Sequence, residues 1–228
     1  MSALILARAR LRRDAPLAAL AGVLVPDGAG ARAGMAHRLV WALFADGPER
    51  RRDFLWREEA PGRLLTLSAR PPHDPHGLFE LDWKPFAPVL APGDRLGFAL
   101  RANPVVARPQ APGHRGKRHD VVMDALRAAP RETRAEVRRA TVLSAGHAWL
   151  VRQGEAHGFA PEGEVAVDGY DRVVVPREGG APAVFGVLDF QGVLTVRDPG
   201  RFLAALARGF GRARAFGCGL MLIRRAAR

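Results

Sequence analysis

Two places in the 228-residue sequence carry side chains suited to chemistry or to gripping an anion. The first is His37, with Arg38 beside it. An imidazole takes or gives a proton near neutral pH without much tuning of its acidity. The second is the stretch Gly209 to Leu220, in which glycines 209, 211, 217 and 219 bracket Arg212 and Arg214. Glycine admits positive φ and close approach of a bulky partner to the main chain. Arginines held in such a loop present forked donors that suit phosphate, and glycine-rich backbone exposes N–H groups to anions. No Gly-Lys-Ser/Thr ends the stretch, and it precedes the apolar run Leu220 to Ile223, where a dinucleotide fingerprint opens a helix instead. The competing reading is an ordinary helix-to-strand connection that needs glycine for its turns.

Other reactive residue types are poorly arranged. His73-Asp74-Pro75-His76 and the pair His114 and His119 resemble metal ligands, but Pro75 forbids helical presentation. Neither pair has a cysteine or an acidic third ligand at a suitable spacing. No Gly-x-Ser-x-Gly elbow occurs, and Cys218, the only cysteine, has apolar neighbours and no local base. The expectation is no metal, no cofactor and a buried thiol.

The formal net charge of +12 favours a polyanionic partner, and nucleic acid is the natural one. Lys84 and Lys117 are the only lysines, so arginine carries almost all of the positive charge. One tyrosine, Tyr170, and 7% aromatic residues leave little to stack unpaired bases. That balance favours backbone contacts to a structured, duplex-like target. Arg131, Arg134, Arg138 and Arg139 read instead as a solvated helix face paired with Glu132 and Glu136. A single cysteine fits a reducing compartment, and no run approaches the roughly 18 apolar residues that span a bilayer. No charged leader precedes an apolar core at the N-terminus, so the expected location is cytoplasmic and away from membranes.

The elements that must position these residues follow from periodicity. A helix is predicted from about Met35 to Ala45, stopped by Asp46-Gly47-Pro48. At 100° per residue, Met35, Leu39, Val40, Leu43 and Phe44 fill one arc of about 180°, and His37 falls just past its edge. A short strand precedes this helix at residues 3–9. Strands at 50–58 and 64–68 form a hairpin around Pro61-Gly62, and another follows at 78–83. Prolines 85, 88 and 92 mark residues 85–93 as a linker between an N-terminal unit, 1–84, and a C-terminal unit, 94–228. The second unit opens with a strand at 94–104. Helical patches follow at 121–129, 131–140 and 144–153, the last capped by Ser144. Strands are predicted at 164–167, 172–175, 184–190 and 192–196. Asp198-Pro199 then starts a helix that Gly209 or Gly211 ends. Both units thus run β-α-β-β-α-β, the second helix of the first unit being short and irregular. The fold class is α+β: two tandem ferredoxin-like (RRM-like) domains joined by a Pro-rich linker.

Several segments together resemble the CasE-type CRISPR-associated endoribonucleases. They are His37-Arg38-x-x-Trp41-x-Leu43-Phe44, Arg52 to Trp56, Leu67-Ser68 before Pro71-Pro72, and Leu100 to Pro104. Gly116-Lys117-Arg118, Ala148-Trp149-Leu150, Phe190-x-Gly192-x-Leu194 and the glycine pattern from 209 to 220 complete the series. The resemblance implies a metal-independent RNase that cuts precursor CRISPR RNA at the 3′ base of the repeat hairpin. Attack by a 2′-hydroxyl would leave a 2′,3′-cyclic phosphate and a 5′-hydroxyl. The product would stay bound while the protein joins the other subunits of the Cascade complex. His37 matches the catalytic histidine, as base or acid, and Arg38 would hold the scissile phosphate. Arg115, Lys117 and Arg118 match a basic segment near the RNA, and Arg172 and Arg177 lie in the hairpin that reaches the duplex. Gly211, Arg212, Arg214, Gly217 and Gly219 would line the bound RNA. Relatives often carry a tyrosine three residues before the histidine; here that position is Gly34, and Tyr170 lies in the other domain.

Overall fold

The computed structural model describes residues 4–14, 24–47, 50–109, 116–177 and 179–226. In the N-terminal half the elements are β1 (Leu4–Leu11), α1 (Ala29–Ala42), β2 (Phe54–Ala60), β3 (Arg63–Ser68) and β4 (Phe79–Phe86). They form one antiparallel sheet in the order β2-β3-β1-β4. The C-terminal half holds β5 (Arg95–Ala102), β6 (Val105–Arg108), β7 (Lys117–Asp120), α2 (Val121–Ala128), α3 (Arg134–His157), β8 (Phe159–Val175), β9 (Ala183–Val196), α4 (Pro199–Arg208) and β10 (Met221–Arg225). Its main sheet runs β10-β5-β9-β8, while β6 and β7 form a separate two-stranded ribbon. In each half the first strand lies between the last and the third, the ordering of a ferredoxin-like sheet. The N-terminal half has no second helix among the described residues.

Burial explains the N-terminal sheet. Phe54 and Trp56 of β2 point toward α1 and pack with Val40, Leu43 and Phe44, with the Phe44 and Phe54 rings stacked at 4.5 Å. Leu55, Leu65 and Leu67 point to the opposite face and meet Leu220 and Leu222 around the start of β10. Both faces are therefore covered, which is why β3 is buried from Leu64 to Ser68 instead of alternating. The second core packs β5, β8 and β9 against α3 and α4 through Trp149, Phe190, Phe202 and Phe210. The leucine layer sets one half against the other and fixes where the 209–220 loop meets the first half.

Helix ends follow local chemistry. Asp198 accepts from Arg201 N at 2.9 Å, Pro199 opens α4, and Gly209 leaves it at φ +80°. Asp120 caps α2 by accepting from the amides of Val122 and Met123. α1 begins earlier than its periodicity predicts, inside the glycine-rich stretch, because Gly30 and Gly34 allow it to lie close against β8. A Cβ on Gly30 would stand 1.8 Å from the Val174 carbonyl oxygen.

Several expected boundaries change. The strands predicted at 164–167 and 172–175 are parts of one strand, β8, and those at 184–190 and 192–196 are one strand, β9. Two register shifts, between Glu162 and Ala166 and between Asp168 and Asp171, interrupt the alternation that periodicity detects. Gly163 and Gly169 turn through positive φ there. The patches at 131–140 and 144–153 are a single 24-residue helix, α3. Ser144 lies inside it, its hydroxyl donating to the Thr141 carbonyl at 3.3 Å, and is no cap. Among the described residues, no carboxylate pairs with Arg131, Arg134, Arg138 or Arg139. Arg134 bonds the Ala129 and Arg127 carbonyls, and Arg138 lies over the Tyr170 ring at 5.3 Å. β4 continues to Phe86, two residues into the proline-rich stretch.

Candidate active site

His37 sits where periodicity predicts, at the rim of α1. Ala36, Leu39 and Val40 are buried beneath it, and Arg38 is exposed. One turn on, Trp41 meets the imidazole edge-on at 6.3 Å between centroids. From the other half of the molecule, Phe216 closes against the same ring at 5.5 Å. Nδ1 is buried and has no hydrogen-bond partner. Burial pushes the His37 pKa down, and the charges of Arg52 and Arg38 push the same way, with the Ala215 carbonyl partly offsetting them. The imidazole is therefore neutral at physiological pH, the form that accepts a proton.

The 209–220 loop delivers Phe216 because it is pinned at both ends and in the middle. The amide of Arg212 donates to the Asn103 carbonyl at 3.1 Å, and that of Gly219 donates to the Arg101 carbonyl at 2.7 Å. Asn103 is itself buried, its Nδ2 donating to the Gly186 carbonyl at 2.7 Å. In the middle, Trp56 Nε1 donates to the Ala215 carbonyl at 3.1 Å across the junction between the halves. Gly217 lies on the Trp56 ring at φ +78°, and a Cβ there would come within 3.1 Å of it. The glycines thus serve a tight docking between the two halves as well as the turns.

A third element joins them. Val173 and Val175 of β8 and Phe185 of β9 pack with Ala33 of α1 and with Ala213, Phe216 and Cys218 of the loop. Phe185 and Phe216 stack at 5.4 Å. The hairpin of β8 and β9, which carries exposed Arg172 and Arg177, is therefore seated on the helix that carries His37. Cys218 lies wholly inside this cluster, and burial pushes its thiol up to about 12, so it is no thiolate at neutral pH.

The structure gathers His37, Arg38, Arg214, Gly217 and Gly219 at one junction, with Gly211 and exposed Arg212 at its margin. Lys117 and Arg118 project from the separate ribbon of β6 and β7, where both are exposed. Arg115 lies outside the described residues. Tyr170 does not reach His37 by hydrogen bond or ring contact: its hydroxyl donates to Asp120 at 3.0 Å. Gly34 faces Val175, 3.4 Å from where a Cβ would stand, so the seat of the hairpin occupies the space beside it. Sequence reasoning alone missed Phe216, Asn103 and the partly buried guanidinium of Arg52 as parts of the site. Phe216 and Asn103 could be flagged only by their place in longer motifs, since neither type is reactive.

A cleft of about 580 Å³ also opens between α1 and β2 on one side and β8 and β9 on the other. Two of its three arginines are ion-paired, while Arg57 meets only the Ala99 carbonyl, at 3.5 Å from Nη1. Arg32 pairs with Glu58 at 3.7 Å, and Arg101 pairs with Asp189. Among the described residues no cluster of three His, Cys, Asp or Glu side chains is placed to hold a metal ion, and no helix is long and apolar enough to cross a membrane.

Comparison with known proteins agrees with this fold. Cse3 of Thermus thermophilus, a CRISPR-associated endoribonuclease, is 33% identical over 150 residues. That alignment covers 61% of this chain and 60% of the relative, so it spans less than two thirds of that protein's length. The structure of a Cse3 endoribonuclease bound to 19-nucleotide RNA superposes with a TM-score of 0.69 at 29% identity, covering 98% of this chain and 99% of that one. The crystal structure of Cas6e from Escherichia coli str. K-12 shares the fold, with a TM-score of 0.62 at 20% identity over 97% of this chain and 100% of that one. A family model described as CRISPR associated protein matches residues 2–225, nearly the whole sequence, and the chain belongs to that family.

Proposed function

We propose that the protein is an endoribonuclease that processes precursor CRISPR RNA, cutting at the 3′ base of the repeat hairpin without a metal ion. The observation that carries this reading is the neutral, half-buried imidazole of His37 enclosed by Phe216 among arginines. His37 takes the proton from the 2′-hydroxyl upstream of the scissile phosphate. The O2′–P bond forms as the P–O5′ bond breaks, and the imidazolium returns the proton to the departing 5′ oxygen. The products are a 2′,3′-cyclic phosphate and a 5′-hydroxyl. Arg38 contacts the phosphate that reacts. Arg212, Arg214 and the glycines of the loop approach the RNA backbone, with Arg172 and Arg177 along the hairpin duplex and Arg115, Lys117 and Arg118 on a more distant segment. The processed RNA remains bound, and the complex joins the Cascade assembly in the cytoplasm.

Incubation of the protein with its cognate repeat RNA in EDTA tests this. Wild type should give a single cut with a cyclic-phosphate end, and His37→Ala should bind the RNA without cutting it. Intact RNA recovered from tight wild-type complexes would sink the nuclease and favour a purely RNA-binding subunit. Resemblance to the RNA-bound Cse3 structure, whose chain is matched over 99% of its length, supports the nuclease.

A further inference from the structure

Arg52 stands just before β2, and its Nη1 is buried with no hydrogen-bond partner. The carboxylate beside it in sequence, Asp53, is already taken by Arg50 at 3.0 Å and Arg70 at 3.2 Å. Among the described residues no carboxylate lies within 4.0 Å of Arg38, Arg52, Arg212 or Arg214. Arg214 is half-buried and fixed, with Nη1 donating to the Arg208 carbonyl and its aliphatic stem held between Gly209 and Gly219. The strand that Arg52 leads into lies against the loop that carries Arg214: Trp56 Nε1 donates to the Ala215 carbonyl at 3.1 Å, and the Leu55 and Arg214 side chains both pack on Gly209. At that junction the Arg214 charge lowers the Arg52 pKa, and Arg52 acts likewise on His37. Other half-buried arginines find acceptors within the protein: Arg101 pairs with Asp189, and Arg57 donates from Nη1 to the Ala99 carbonyl at 3.5 Å. An unpaired, partly dehydrated guanidinium beside the imidazole, with that of Arg214 also lacking a carboxylate nearby, is an unfavourable arrangement that an anion between the two arginines relieves. A phosphodiester has the right shape, since each fork matches a non-bridging oxygen.

We infer that Arg52 and Arg214 form the seat for one phosphodiester at His37, and that Arg52 selects which phosphodiester meets the imidazole. The inference rests on the nuclease reading for its substrate, while the seat itself is read by binding alone. The test uses full-length protein and repeat RNA carrying one 2′-deoxy nucleotide at the mapped cut, so that nothing is cleaved. Where no cut is mapped, the panel described next is walked along the whole hairpin. In that panel, single phosphates around the 3′ base of the hairpin are replaced by neutral methylphosphonate. Wild type should lose about tenfold to a hundredfold in affinity at one position, the range for a charge-assisted hydrogen bond. Arg52→Gln should bind the unmodified RNA more weakly by a similar factor and show little further loss at that position. Full retention of the position-specific loss in Arg52→Gln overturns the seat, as does a wild-type panel with no such position. If Arg52→Gln melts early, Arg52→Lys takes its place, with a reduced but not absent position-specific loss expected. Cleavage of the all-RNA hairpin is scored separately. A working seat with no cleavage sinks the nuclease reading alone, and cleavage without the seat sinks only this inference.

Discussion

The ring of Phe216 lies 5.5 Å from that of His37, although 178 residues separate them and they belong to different halves of the fold. Phe216 is the lid of the imidazole's dry side, and Phe185 stacks on its outer face. Phe216→Ala should therefore rehydrate His37. Its pKa is depressed by burial first and by Arg52 and Arg38 next, so in wild type the loss of activity on acidification should fall below pH 6.5. Neutral imidazole is the working form, so single-turnover cleavage rises with pH through that midpoint and is flat above it. The variant's midpoint should move up toward 6.5, with a slower plateau. The same sign holds for stability. The unfolded chain protonates His37 first, so this contribution is present above pH 6.5 and fades as pH falls. Loss of half-buried ring contacts should cost about 1–2 kcal/mol in a denaturant melt, less than a fully enclosed phenylalanine costs.

Gly30 and Gly34 lie one turn apart on α1 yet should respond oppositely to alanine. At Gly30 the new Cβ would meet the Val174 carbonyl oxygen at 1.8 Å, so helix and hairpin must separate. Gly30→Ala should destabilise by about 1–3 kcal/mol and weaken RNA binding, as the hairpin carrying Arg172 and Arg177 loses its seat. At Gly34 the nearest atom is Val175 Cγ1 at 3.4 Å, an ordinary contact. Gly34→Ala should stabilise by about 0.5–1 kcal/mol, the helix-propensity difference, with cleavage retained. Equal effects in thermal melts would rule out the close approach of α1 to β8.

The position of His37 was legible because the part of α1 from Met35 onward keeps one period, and the start of α4 because Asp198 and Pro199 act locally. β8 was not. Its two register shifts break the alternation, so one strand reads as separate pieces. α3 resembles two pieces in sequence because Ser144, a good capping residue in isolation, sits inside a helix held by Trp149 and Leu150. The site eluded local reading for a different reason. Asn103 to Arg212, Trp56 to Ala215 and His37 to Phe216 are all long-range, and only packing of the leucine layer brings them together. Nothing local marks Arg52 as unpaired, since Asp53 follows it in sequence and only the structure shows that Asp53 is engaged by Arg50 and Arg70.

Tyr170 is occupied by structure. Its hydroxyl donates to Asp120, which also caps α2, and burial together with that carboxylate pushes its pKa well up. A phenol so held is neither acid nor base at neutral pH. Tyr170→Phe should leave the single-turnover cleavage rate unchanged and cost about 0.5–1.5 kcal/mol of stability from the lost hydrogen bond. A large drop in rate with the fold intact would instead place Tyr170 in the chemistry.

Salt should separate arginines that meet phosphate from those already paired within the protein. Each cation that neutralises a phosphate releases counterions, so log affinity falls linearly with log salt. Lys117 and Arg118 lie exposed on β7 without an acidic partner among the described residues, so each is free to take a phosphate. Arg108, across the ribbon in register with Lys117, is held by Asp124 through both Nε and Nη2. Lys117→Ala and Arg118→Ala should each weaken repeat-RNA binding and flatten the salt slope by about 1. Arg108→Ala should leave the slope unchanged, because the carboxylate already holds that charge and no phosphate contact is lost. Fluorescence anisotropy at several salt concentrations reads all three. Equal slopes for wild type and all variants would remove the ribbon from the RNA interface and confine binding to the junction around His37.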